Sequence, residues 1–188
     1  MAVSITSDPI LSVRDAEDVL AWNDERKTTL AINSVSARFL QHTNRLRITS
    51  GSVTEYKRIC GVNAFWLRAT PVSSVTSVEY YTLGDLSSTY TSDDYTVNLT
   101  NGKLVIHGAI PQNTGQEESL KVVYTGGWST VPGDIVFSAL QLMRLDKKRL
   151  DGALGVNSES REGFSTSFES GDLPRAVREV WDRYRILA

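Results

Sequence analysis

The sequence predicts an α+β fold: N- and C-terminal helices forming a bundle, with a β-rich insertion of hairpins and sheet between them. Three observations predict it. Apolar residues recur with a period of about 3.6 before residue 44 and again after residue 133. From Leu46 to Trp128 the period falls to about 2, with β-branched and aromatic residues dominating. The 188 residues, 40% hydrophobic and 22% charged, suffice to bury a core without disulfide staples.

The helical start lies over 12–45. Ser12, with Asp15 and Glu17 behind it, places an acceptor and negative charge at a helix N-terminus, and Val13, Ala16, Val19 and Leu20 follow at helical spacing. Asn23-Asp24 interrupts, with Asp24 the expected cap of a longer helix. Thr28, Ile32, Val35 and Phe39 form its stripe, broadened by Ala31 and Leu40. Asn44 is placed to close it in the left-handed conformation.

The segment 46–128 reads as strands at Val53–Tyr56, Ala64–Leu67, Val75–Tyr81, Tyr95–Leu99, Lys103–His107 and Leu120–Tyr124. Asn101-Gly102, between the fourth and fifth, is the strongest hairpin signal, because both residues tolerate positive φ. A helix over 132–152 is expected to begin at an Asp134 cap and to turn Ile135, Ala139, Leu142 and Met143 to one side. Lys147, Lys148 and Arg149 crowd its last turn, where cations favour the dipole. Gly152 and Gly155 end it. The span 153–172, rich in Ser, Gly and Glu, reads as a loop or loose hairpin, and Leu173-Pro174 opens a last helix over 173–188.

Several chemistries find no support. The histidines, His42 and His107, lie in unrelated elements without Cys or His at ligand spacing, so no metal is expected. No G-x-S-x-G elbow and no Gly-rich phosphate loop occurs, so neither catalytic residues nor a cofactor is expected. Asp93-Asp94 and Glu117-Glu118 stand in polar turns, where solvated carboxylates are the expected reading. Cys60, the single cysteine, reads as a buried inert thiol. No basic region with an apolar run opens the chain, and no apolar stretch is long enough to span a bilayer, so a cytoplasmic-type compartment without membrane contact is expected.

Charge is unevenly spread. Net charge is −2, but residues 70–130 hold only Lys103 and Lys121 against Glu79, Asp85, Asp93, Asp94, Glu117 and Glu118. An acidic middle third repels a phosphate backbone and offers no basic stripe for gripping nucleic acid. Trp22, Trp66, Trp128 and Trp181 are scattered over separate elements, which suits core or interface packing better than a base-stacking platform.

The order of elements carries a resemblance. Thr43-Asn44-Arg45 closes the helices; Trp66-Leu67-Arg68-Ala69-Thr70-Pro71-Val72 leads into Val75-Thr76-Ser77-Val78; Asp94–Val97 precedes the Asn101-Gly102 hairpin. Val122-Val123-Tyr124-Thr125-Gly126-Gly127-Trp128 then leads to Val131-Pro132-Gly133-Asp134-Ile135. This resembles the head–tail connector (adaptor) proteins of tailed bacteriophages over nearly the whole chain, with Asn44 where members have Gly and Trp128 where they have Tyr. The resemblance implies a single adaptor domain over 1–188 and a virion protein, made in the host cytoplasm, that acts at the head–tail junction. It implies a homo-oligomeric ring, commonly of twelve subunits, that docks on the portal protein, meets a tail-side stopper or tail-terminator protein, and extends a channel through which DNA passes without sequence-specific binding. A stopper or tail-completion protein, or a small hydrolase with cryptic Ser/His/acid residues, are the other readings. For intersubunit contact the helices of 13–43 and 134–150 are the expected faces. Arg178, Trp181 and Arg185 are the candidates for portal docking, and Phe164 and Phe168 those for tail-side or neighbouring-subunit contact.

Overall fold

The computed structural model describes residues 8–21, 24–58, 63–82, 84–107, 118–150, 158–161, 164–167 and 173–186. They form four helices, two antiparallel sheets and a short antiparallel ribbon. The chain divides into two compact units. One comprises Met1–Thr43 and Val131–Arg185, and the other Asn44–Thr130 and Ile186–Ala188.

In the first unit, α1 (Val13–Leu20) starts as the sequence predicts, with Ser12 Oγ accepting from Asp15 N at 3.2 Å. It ends at Ala21 in the left-handed region (φ 49°). Asp24 caps α2 (Glu25–Thr43): its Oδ1 accepts from the N–H groups of Arg26 and Lys27, which holds its carboxyl below the usual aspartate range. Thr28, Ile32, Val35 and Phe39 are fully buried, as the period demands, and Asn44 (φ 56°) closes the helix.

Helix α3 (Gly133–Leu150) corrects the expected cap. Pro132 O is the first acceptor, taking hydrogen bonds from Ile135 and Val136, so Asp134 stands inside the first turn. There its carboxylate accepts from Ile135 N and from Tyr184 Oη. Ile135, Ala139, Leu142 and Met143 are fully buried. Helix α4 (Arg175–Asp182) follows Pro174 and buries Val177 and Trp181. Helix α2 packs on the other three helices and α3 packs on α1 and α4, and each buried Leu, Ile or Phe side chain contributes roughly 1.5–3 kcal/mol. The span expected as a loop or loose hairpin holds a ribbon, β8 (Ser158–Arg161) against β9 (Phe164–Ser167).

The second unit holds a four-stranded sheet in the order β1-β7-β3-β4 and a three-stranded sheet in the order β2-β6-β5. The strands are β1 (Gly51–Arg58), β2 (Ala64–Trp66), β3 (Val72–Thr82), β4 (Asp85–Tyr90), β5 (Tyr95–Val97), β6 (Lys103–Ile106) and β7 (Glu118–Gly126). Their inner faces enclose Phe65, Leu67, Val78, Tyr80, Leu104, Ile106, Leu120, Val122 and Tyr124. Strand β4 is absent from the sequence prediction, because residues 85–89 are all exposed and carry no alternation to read.

The hairpin at Asn101-Gly102 is present, but not as a two-residue turn. Asn98 N donates to Lys103 O and Gly102 N donates to Asn98 O, enclosing a four-residue loop. The Asn98 carboxamide oxygen accepts from the N–H groups of Thr100 and Asn101, so Gly102 alone takes positive φ (73°). A β-carbon there would stand 2.4 Å from Thr70 Cγ2.

Candidate assembly surfaces

Three of the segments that carry the resemblance, around Arg45, Thr70 and Trp128, meet in the second unit. Arg45, only 8% exposed, lays its guanidinium 4.2 Å from the centroid of the Trp128 ring and donates to Thr70 O (2.5 Å) and Thr70 Oγ1 (2.9 Å). The Thr70–Pro71 peptide is cis. Gly127 N donates to Pro71 O at 3.0 Å, Trp128 N to Ile48 O at 2.8 Å, and Leu46 N to Arg68 O at 3.0 Å. Gly127 has φ 102°, and a β-carbon on it would lie 2.4 Å from Thr49 O, so a side chain is excluded on both counts. These residues thus lock the entry of β1 to the exit of β7.

Beside this joint lies a buried polar chain. Tyr124 Oη donates to Glu55 Oε2 (2.8 Å) and accepts from Ala69 N (2.9 Å). Arg68 N also donates to Glu55 Oε2 (3.0 Å). Lys57 Nζ lies 2.6 Å from Glu55 Oε1, close for a charge pair although not aligned as a hydrogen bond. Burial and the adjacent carboxylate push the Tyr124 hydroxyl well above its ordinary value, so it serves as a donor. These hydrogen bonds give the buried Tyr124 hydroxyl and Glu55 Oε2 their partners within the second unit.

The histidines fall where structural partners hold them. His42 Nε2 is 2.8 Å from Asp182 Oδ1, with the ring beside Trp181, and His107 Nε2 is 2.6 Å from Thr96 Oγ1. Asp94 accepts from Thr91 N and Oγ1, both at 2.7 Å, and these bonds hold its carboxyl below the usual range. Among the described residues no cluster of His, Cys, Asp and Glu could hold a metal ion, and no helix is long and apolar enough to cross a membrane. Cys60, Trp22, Glu117 and Phe168 lie outside the described residues; Phe164 is on β9, its side chain outside the description.

Trp181 requires a correction. The sequence reading put it on a docking face, but its ring is fully buried. It stands edge-on to Phe39 with centroids 5.3 Å apart, and its indole N–H donates to Ser138 Oγ at 2.8 Å. A helix explains the difference: Arg178 lies on the outer side of α4, away from the buried Val177 and Trp181, and Arg185 lies beyond the end of the helix; both are exposed. Arg178 Nη2 donates to Leu173 O at 3.2 Å, which steadies that outer face.

The sequence reading missed a different set. Leu30 is 50% exposed on α2, Phe137 is 61% exposed on α3, and Val19 of α1 is also exposed. In the second unit Tyr56 and Leu86 are exposed on strands. The signal was available for Leu30 and Phe137: each is a large apolar residue two positions off its helix's buried stripe, so it must point away from the core.

Large apolar side chains turned outward on helices and strands are the kind of surface that an assembling protein covers. Residues 13–187 match the family model described as "Head completion protein". The chain belongs to that family, which is one of structural virion proteins of the head–tail junction and not of enzymes. No curated protein sequence matches the chain. Three solved structures share its fold over nearly the full length of both chains. A chain from the virion of the native gene transfer agent (GTA) particle has TM-score 0.62 and 14% identity, over 99% of this chain and 95% of that one. Chains from the neck of the empty GTA particle computed with C6 symmetry and of the native particle with C12 symmetry each give TM-score 0.61, at 16% and 17% identity. Each of those two matches covers 100% of this chain and 96% of the other.

Proposed function

We propose that the chain is a single adaptor domain that forms a homo-oligomeric ring, of twelve copies, between the capsid portal and the tail, and that the ring extends the DNA channel. In this reading a bundle of the terminal helices carries the β-rich segment as an insertion. The observation that carries the proposal is the full-length likeness in fold to a chain of a neck with C12 symmetry, in a chain of the head completion family. A closed ring needs two different faces on each copy. The exposed Val19 and Leu30 on α1 and α2, and Phe137 on α3, supply apolar side chains for neighbouring copies on the helices of 13–43 and 134–150.

Arg178 and Arg185 present cationic side chains for the portal protein, and the span holding Phe164 and Phe168 faces a neighbour or the tail-side stopper or terminator protein. The acidic residues of 70–130 let DNA slide past without sequence-specific binding. Electron microscopy of the purified chain, alone and added to tailless particles, tests this. Twelvefold rings on the portal vertex are expected. Binding to free tail tubes instead would make it a tail-completion protein, and a chain that stays monomeric on portal-bearing particles would refute the ring.

A further inference from the structure

We infer that neighbouring copies meet through two flanks of the helical unit, the acidic outer side of α1 in one copy receiving Arg183 and Phe137 of the next. This names the partner surfaces of the ring proposed above and rests on that reading. The two flanks lie at opposite ends of α3. Near its start Asp134 and Ser138, one turn apart, accept from Tyr184 Oη and from the Trp181 indole N–H, which fixes α4 there. Near its other end Arg144 and Lys147 donate to Val19 O (3.4 Å) and Leu20 O (3.1 Å), which holds the end of α1. At about 1.5 Å of rise per residue the two attachments stand roughly 10–20 Å apart along the helix. A ring closed head to tail needs two such distinct surfaces.

The charge on α1 is unmatched within the copy. Asp15, Glu17 and Asp18 stand against Arg14 alone on that helix. Glu17 and Asp18 occupy its last turn, where the dipole disfavours acids, and among the described residues neither has a hydrogen bond or ion pair. The two cations that α3 brings close, Arg144 and Lys147, are directed at backbone carbonyls. Asp15, Asp18 and Val19 are exposed and, at i, i+3 and i+4, share one side.

The α4 flank has the reverse balance, because its acids are engaged. Asp182 Oδ1 lies 2.8 Å from His42 Nε2, Glu179 accepts from Arg175 at 2.8 Å, and Asp134 accepts from Tyr184 at 2.9 Å. Arg183 is exposed, and among the described residues its side chain has no hydrogen bond or ion pair. Five residues beyond Arg178 on a helical path, it stands on another side, so the portal contact proposed for Arg178 is left free. Phe137, the residue before Ser138, is exposed on the outer side of α3 at this level. Each flank therefore joins an exposed apolar side chain to unmatched charge, and the signs are opposite. A second copy of the chain matches both at once.

The test is charge exchange, read as the concentration for half-assembly of rings on portal-bearing particles. Asp18→Arg and Arg183→Asp change exposed side chains, so their urea midpoints are expected to match the parent, while each is expected to raise that concentration about fivefold. An equimolar mixture of the two is expected to assemble like the parent, because alternation around a ring of twelve restores an opposite-charge pair at every junction. Single variants that assemble like the parent, or a mixture no better than its components, would overturn this pairing of flanks and leave the ring standing. Absence of any ring from the unmodified chain on the same particles would overturn both.

Discussion

The indole N–H of Trp181 donates to Ser138 Oγ at 2.8 Å, fastening α4 to α3 inside the helical core. Trp181→Ala is therefore expected to cost about 4 kcal/mol of stability, from lost volume and an open cavity. Ser138→Ala, which leaves the indole N–H buried without that acceptor, is expected to cost about 2 kcal/mol. Chemical denaturation measures both; a Trp181→Ala protein as stable as the parent would contradict the buried placement.

Arg45 links three separate segments through the Trp128 ring and Thr70. Arg45→Ala should lower stability by about 2 kcal/mol or more, and Arg45→Lys should recover little, because an ammonium cannot both stack and reach two acceptors. Trp128→Tyr should be much milder than Trp128→Ala, since a phenol ring still accepts the cation. Midpoints of urea unfolding across the four variants decide it.

Two glycines make a matched comparison. Gly127→Ala meets Thr49 O and a left-handed backbone, and is expected to cost about 3 kcal/mol. Gly133→Ala, at the start of α3 with nothing within 4 Å of the added carbon, should be neutral or stabilise by about 0.5 kcal/mol. Thermal melts of the two variants should move in different directions or by very different amounts.

The Lys121 ammonium and the Tyr81 hydroxyl hold the Glu79 carboxyl below its ordinary value of 4.5. A group whose folded value is depressed stabilises the fold above its unfolded value, and that contribution disappears as pH falls through the folded one. Stability should thus decline on acidification below about pH 4.5, and Glu79→Gln should flatten that limb while leaving the neutral-to-alkaline curve unchanged in slope. Unfolding midpoints at several pH values between neutrality and the acid limit measure it.

Phe137 separates folding from assembly. Its side chain is 61% exposed, so Phe137→Ser should leave stability within about 0.5 kcal/mol of the parent while impairing ring formation. Sedimentation velocity reads the second effect, and an unchanged ring population would remove α3 from the proposed intersubunit face.

The helices were legible because periodicity reports burial directly: the stripe Thr28, Ile32, Val35 and Phe39 is buried in full. Partners distant in sequence were not legible. Nothing near Trp181 announces Ser138, and its arginine neighbours drew it toward a surface role that helical geometry assigns to them alone. Glu55 reads as one more acid in a strand, and only the return of β7 brings Tyr124 over it. Strand β4 exists through its pairing with β3, a property of the partner as much as of its own Ser and Thr residues. The assembly surfaces were partly readable, at Leu30 and Phe137, by their misfit with the stripes.

The division of the chain also orders its synthesis. A ribosome completes most of the β-rich unit before α3 and α4 exist, whereas the helical unit draws on both flanks of that segment. Phe39 is made early and waits for its edge-on partner until nearly the last turn of the polypeptide has emerged. Nascent chains stalled before α4 would display an unfinished apolar groove, so premature termination there should yield sticky, chaperone-bound fragments and not shorter competent subunits.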